Sequence, residues 1–207
     1  MNKIEVIYGD LTVFSCDVIV NSANPSLLAG SGLCGVIHKK AGKNLEGECK
    51  ELGKVEVGLA KLTKSYDLID SGIPWIIHAV GPRWLGGANQ EVEKLEETYR
   101  SCIKLAGAYK EVYQGQMYSI LEQYFEGKVL EETFENVKHY IHKHPIKHIA
   151  FPAIGVGIYH FPITLSATIA KKALKQASLL ENSLEKISIV CNDKVVYEAY
   201  KTIFEEE

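Results

Sequence analysis

Short apolar runs separated by longer stretches with helical spacing set the pattern of this chain. KIEVIYG, DVIVNSAN, AKLTKSYDL, PWIIHAVGP, IKHIAFPAIG and KISIVCND read as six strands. Several are β-branched and apolar throughout, as expected of strands covered on both faces. Helix candidates lie between them, at Leu33 to Ala41, Asn44 to Leu52, Val92 to about Lys110, Ile163 to Ala177 and Val195 to Phe204. Strands alternating with helices predict a single α/β domain over residues 1–207, a three-layer α/β/α sandwich around a central mixed, largely parallel sheet. In such sheets ligands collect at the carboxyl ends of the strands.

One segment breaks the alternation. Residues 107–145 are too long for a loop and carry Tyr and Phe at roughly helical spacing, so they are expected to form an insertion of one or two extra helices. Its aromatic residues are expected to pack against the domain, with a partner surface as the alternative. Its end holds His139, His142 and His144, with His148 close by. Histidines at i and i+3 share a helix face and can hold a metal. No carboxylate or Cys stands at matched spacing, so a solvated helix end is the favoured reading.

Composition narrows the setting. The chain has 207 residues, 46% hydrophobic and 24% charged, with a formal net charge of −3, enough apolar content for one sizeable core and no global basic field. Nucleic acid is therefore not an expected partner. Cys16, Cys34, Cys49, Cys102 and Cys191 are odd in number and contain no Cys-x-x-Cys pair, which argues against a disulfide framework or a zinc ribbon and suits a reducing cytoplasm. No leader pattern opens the chain and no run approaches the roughly 20 apolar residues of a membrane span. A soluble protein without a membrane partner is expected.

Two glycine-rich corners carry the candidate chemistry. VIVNSANPSLLAGSGLCGVIHKKAG passes from a strand through Gly30, Ser31 and Gly32 into a helix. Backbone N–H groups at such a helix start are free, a ligand can approach the chain closely, and the helix dipole favours an anion. FPAIGVGIYHFP repeats the arrangement at Gly155 to Tyr159. Neither corner matches Gly-x-x-x-x-Gly-Lys-Ser/Thr or the dinucleotide Gly-x-Gly-x-x-Gly with its acidic partner. The pair suits a pyrophosphate that is bound and not transferred to a second nucleotide.

Four blocks in order, YGDLTVFSCDVIVNSANPSLLAGSGLCGVIHKKAG, VGLAKLTKSYDL, IIHAVGPRW and FPAIGVGIYHFP, resemble the macrodomain family of ADP-ribose-binding α/β/α modules. The resemblance runs from the first strand to the last helix and leaves out residues 107–145. It implies that Asp10 accepts from the adenine amine with the Leu11 N–H beside the ring, and that Asn24 reaches the distal ribose. Gly30, Ser31, Gly32 and Leu33 match the first diphosphate loop; Gly155, Val156, Gly157, Ile158 and Tyr159 match the second, with the Tyr159 ring against the distal ribose. Taken singly, Asp10 could cap a short helix, Asn24 could hold a turn and Tyr159 could fill core. The resemblance calls for no cofactor and no metal.

Three positions depart from it. Cys34 stands where MacroD-type hydrolases carry an aspartate that orients the attacking water, although certain viral macrodomains keep Cys there. A thiol at a helix start is a candidate nucleophile, and a small wall residue is the favoured reading. Asn192 replaces the aromatic residue that stacks on adenine in many relatives. His160 stands where relatives often have glycine, either as a proton source beside the ribose or as a rim residue.

Two functions follow from the resemblance. As an enzyme, the protein removes ADP-ribose from Asp- or Glu-modified proteins or deacetylates O-acetyl-ADP-ribose, with Asn24, Tyr159 and Cys34 at the reacting end and the substrate's pyrophosphate assisting a water. As a reader, it binds ADP-ribose or an ADP-ribosylated protein without turnover and recruits partners through the inserted helices. The joint presence of Asn24, the first loop and Tyr159 favours the enzyme.

Overall fold

The computed structural model describes residues 3–181 and 183–206. Among them the strands are β1 (Lys3–Tyr8), β2 (Val18–Ser22), β3 (Ala60–Lys64), β4 (Trp75–Ala79), β5 (His148–Phe151) and β6 (Lys186–Cys191). They form one sheet in the order β1-β6-β5-β2-β4-β3. β3 runs antiparallel to β4, and the other neighbours are parallel. The helices are α1 (Gly32–Ala41), α2 (Lys43–Leu52), α3 (Glu91–Gly107), α4 (Tyr109–Leu121), α5 (Gly127–Lys143), α6 (Ile163–Leu180) and α7 (Lys194–Glu205). None of them is long and apolar enough to cross a membrane.

The continuous apolar strands have the reason expected of them. Val18, Val20, Ile77, Ile187 and Ile189 pack with Leu95 and Tyr99 of α3 and with Ala167 and Ala170 of α6. Their neighbours Ile19, Ile76, Ala150 and Val190 turn to the opposite face and meet Ile37 of α1 and Leu45 of α2. Each fully buried Ile or Val contributes about 1.5–3 kcal/mol. The result is the mixed three-layer α/β/α sandwich.

The crossings decide where a cleft can form. β2 feeds α1 on one face, whereas its neighbour β5 feeds α6 on the other. Chains leaving adjacent strand ends in opposite directions leave a crevice between them.

Every strand ends before its run does, two of them by four residues. AKLTKSYDL reads as strand to Leu68, yet β3 stops at Lys64 and residues Tyr66–Ser71 form a 3-10 turn. Tyr66 takes a positive φ of 52° and donates its hydroxyl to Glu48 of α2 at 2.6 Å, a tertiary partner that local pattern does not reveal. IKHIAFPAIG reads as strand to Gly155, but β5 ends at Phe151, since Pro152 has no N–H for a ladder. Helix ends agree with those expected at Ala41, Leu52 and Ile163 and differ elsewhere by one to three residues. α6, for instance, continues to Leu180.

Residues 107–145 hold α4 and α5, a helical hairpin beside the β3 edge. Tyr113 and Tyr140 pack edge-on to Trp75 at 4.8 and 4.9 Å, and the Trp75 indole N–H donates to the His144 carbonyl. Gln116 Nε2 donates to the Leu62 carbonyl, covering part of the β3 edge. The inner aromatic residues are therefore packed, while Tyr118, Tyr124 and Phe125 near the tip are exposed. The four histidines do not converge. His139 and His142 face solvent, His144 lies against Tyr140, and His148 sits in β5 against Ser188.

Candidate ligand site

A cleft of about 850 Å³ opens at the carboxyl ends of β1, β6, β5 and β2. That volume suits a ligand of nucleotide size. Every residue singled out above as ligand-contacting lines it: Asp10 and Leu11 after β1, Asn24 and Gly30 to Cys34 after β2, Gly155 to Tyr159 after β5, and Asn192 after β6. Val36, Ala153, Val190, Asp193 and Val196 complete much of the wall. Among the lining residues there is no Lys or Arg, so a bound phosphate would be met by backbone N–H groups. His160 is exposed and not part of the lining, the rim position of its two readings.

The first loop is folded back on the helix it starts. Ser31 precedes α1 without a side-chain cap, and among the described residues no acceptor is found for the N–H groups of Ser31, Gly32 and Leu33. These donors and the α1 dipole face the cleft. Gly32 has φ 61°, and a Cβ there would meet open space. Gly35, which sequence reading passed over, is the residue the fold demands, because a Cβ there would run into the Gly30 carbonyl oxygen. Its signal was the third glycine of GSGLCG, one helical turn into α1.

Asn24 holds this loop from below. Its Oδ1 accepts from Ser26 N–H at 3.0 Å and from the Ser26 hydroxyl at 2.5 Å, and its Nδ2 donates to Leu28 O at 2.8 Å. The turn-holding role considered for Asn24 is thus present, and one Nδ2 hydrogen is left for a ligand. Cys34 is 6% exposed. Its Sγ lies 3.7 Å from the Leu28 carbonyl and 3.6 Å from Asn21 Nδ2. Neither the carbonyl nor the amide is a base that would take the thiol proton, which fits a wall better than a nucleophile.

The second loop is built differently. Gly155 takes φ 83° with Phe161 packed over it, Phe161 N–H returns to Gly155 O at 3.0 Å, and Trp84 N–H donates to Tyr159 O at 2.9 Å. Among the described residues no acceptor is found for the N–H groups of Gly157, Ile158 and Tyr159. Tyr159 is half-buried with the Arg83 guanidinium 6.0 Å from its ring centroid. The exposed His160 takes φ 54°, which explains why glycine suits that place.

At the far end, Asp10 serves its own backbone and the cleft. Oδ1 accepts from Thr12 N–H at 2.8 Å and the Thr12 hydroxyl at 2.7 Å, capping the 3-10 turn Leu11–Val13, while Oδ2 lies 3.8 Å from Lys40 Nζ. The Thr12 hydrogen bond, with Lys40 adding to it, holds the carboxyl below its usual range. Cys191, also in the wall, is pushed up to about 12 by burial and stays a thiol.

Strand order, facing glycine loops and the capped acid define an α/β/α module with a cleft shaped for a nucleoside diphosphate carrying a further group. The chain belongs to the Macro domain family, whose model matches residues 20–113 and 122–170. The break in the match, 114–121, falls within α4 and inside residues 107–145, while α5 lies in the matched part. The chain is 34% identical over 205 residues to an O-acetyl-ADP-ribose deacetylase of Enterobacter cloacae, covering 97% of this chain and 93% of that protein. A variant of the Oceanobacillus iheyensis macrodomain, solved with ADPR, superposes with a TM-score of 0.75 at 27% identity, covering 99% of this chain and 92% of that one. The Trypanosoma brucei macrodomain in complex with ADP-ribose shares the fold, with a TM-score of 0.70 at 23% identity, covering 96% of this chain and 68% of the other.

Proposed function

We propose that the cleft binds ADP-ribose and that the protein hydrolyses a carboxylate ester on its distal ribose. O-acetyl-ADP-ribose and ADP-ribose linked to an Asp or Glu side chain present that same bond. The observation that carries the reading is the pair of glycine loops facing one cleft with unpaired N–H groups on both sides. In it, Asp10 Oδ2 and the Leu11 N–H take the adenine, the two loops take the diphosphate, and Asn24 Nδ2 and the Tyr159 ring position the distal ribose. Cys34 closes the wall beside that sugar, and Asn192 with Val196 borders the base.

The reaction needs a water at the distal ribose. Its oxygen bonds to the ester carbonyl carbon, the ribose oxygen leaves and takes up a proton, and the products are a carboxylic acid and ADP-ribose. The carboxylates that line the cleft, Asp10 and Asp193, stand at the β1 and β6 ends, away from Asn24. A phosphate oxygen of the substrate is then the group that accepts the water proton, and the chain contributes alignment and desolvation. The same shortage of an acid or base near Asn24 favours a second reading, a binding module that does not turn over. The unpaired, buried cysteines support a reducing, cytoplasmic setting.

The test is direct. ADP-ribose binds with micromolar-order affinity, about −8 kcal/mol, by calorimetry. O-acetyl-ADP-ribose and a glutamate-modified protein then each release ADP-ribose in a time course. Binding without release identifies the reader, and absence of binding removes both readings.

A further inference from the structure

Behind the first loop, three side chains that the proposed reaction does not use converge from three elements. His38 comes from α1, Cys49 from α2 and His78 from β4; all are buried, and one donor atom of each lies within 4.8 Å of the other two. We propose that His38 Nε2, Cys49 Sγ and His78 Nε2 form a structural site for a zinc-type divalent cation.

The two imidazoles are set up as ligands by what their other nitrogens do. His38 is 7% exposed and its Nε2 has no partner among the described residues, while the Leu27 backbone beside the ring favours an N–H on the other nitrogen and so a bare Nε2. A buried nitrogen lone pair close to a thiol and a second imidazole is free to ligate a cation. His78 Nδ1 lies 3.1 Å from the Asn21 amide, whose Oδ1 has no partner among the described residues. Turning that amide over places its oxygen on a His78 Nδ1–H and frees Nε2, the outer-shell arrangement that orients metal-bound histidines.

The spacing agrees. Cys49 Sγ is 3.7 Å from His78 Nε2. Zn–N near 2.0 Å and Zn–S near 2.3 Å at a tetrahedral angle put such a pair about 3.6 Å apart. The Thr63 hydroxyl, 2.9 Å from His78 Nε2, stands where its oxygen or a water can fill the fourth corner; without a cation it donates to that nitrogen instead. One thiolate and two imidazoles select zinc over magnesium or calcium. The Cys49 thiol proton leaves to solvent as the Zn–S bond forms. The cation would pin α1 and α2 to the sheet, and α1 begins with the glycine loop.

This site stands or falls independently of turnover in the cleft. The full chain, unfolded with chelator and refolded with zinc, is expected to retain about one zinc per chain after gel filtration. Refolded with cobalt(II), it is expected to show a thiolate-to-metal band and tetrahedral visible bands. Cys49→Ser and His38→Gln remove the cobalt bands, whereas His139→Gln with His142→Gln leaves them, and far-UV circular dichroism with a cooperative melt reports that each variant is folded. Substoichiometric zinc in the unmodified chain, or a cobalt spectrum unchanged by Cys49→Ser, overturns the proposal. The unmodified chain decides the matter even if a variant does not fold.

Discussion

The two glycine loops face one cleft but use their glycines for different purposes. In the second loop, Gly155 supplies the left-handed turn against Phe161, while Gly157 has ordinary φ and open space around its Cβ position. Shape and access are divided between two residues. In the first loop, Gly32 combines both, with φ 61° and an open Cβ direction, and a third glycine, Gly35, lets the Gly30 carbonyl lie on α1. A substitution at Gly157 therefore probes the ligand path alone. One at Gly32 or Gly35 probes path and fold together.

The largest effect is expected there. Gly157→Glu places a side chain and a negative charge where the diphosphate would run, and should weaken ADP-ribose by at least about a hundredfold, some 2.7 kcal/mol, with an unchanged melting temperature. Gly35→Ala should cost about 1–3 kcal/mol of stability, because the Gly30 carbonyl must move, and should weaken binding as the loop shifts. Normal binding by Gly157→Glu would place the phosphates outside this pair of loops, and an unaffected melting curve for Gly35→Ala would remove the distinction between them.

Asp10→Ala comes next, with a loss of about 1.5–3 kcal/mol in calorimetry from a charge-assisted hydrogen bond. The Thr12 hydrogen bond holds the Asp10 carboxyl low, so it stays ionised as pH falls toward the usual carboxylate range. Its contribution should be flat between about pH 5 and 8 and disappear only as pH falls through that lowered value. A decline in affinity through neutral pH that Asp10→Ala removes would contradict the assignment.

Cys34→Ala should keep turnover within a few fold, since the thiol sees only a carbonyl and an amide. A drop of about a thousandfold with intact binding would make the thiol a nucleophile. The smallest effect belongs to the second loop. His160→Gly relieves a left-handed backbone at an exposed position and should change stability by no more than about 1 kcal/mol, in the stabilising direction, in a thermal melt.

The apolar runs and their helical partners were sufficient for the layers, because a strand apolar at every position is stable only when both faces are covered, as Val18, Ile19 and Val20 are. The two glycine corners were legible as strand–glycine–helix turns, since each sits within a few consecutive residues, whereas Asp10 and Asn24 were singled out by the family resemblance and the fold sets both on the cleft wall. Long-range geometry was not. Strand pattern could not reveal that Tyr66 turns aside to Glu48, that Gly35 is occupied by the carbonyl of Gly30, or that His160 adopts a left-handed backbone. His38, Cys49 and His78 are dispersed over 41 residues with no short local motif, and only the packing of α1 and α2 on β4 brings their donor atoms within 4.8 Å. Local sequence determines which groups can bond to a neighbouring backbone. Which distant groups share a volume is decided by how the layers close.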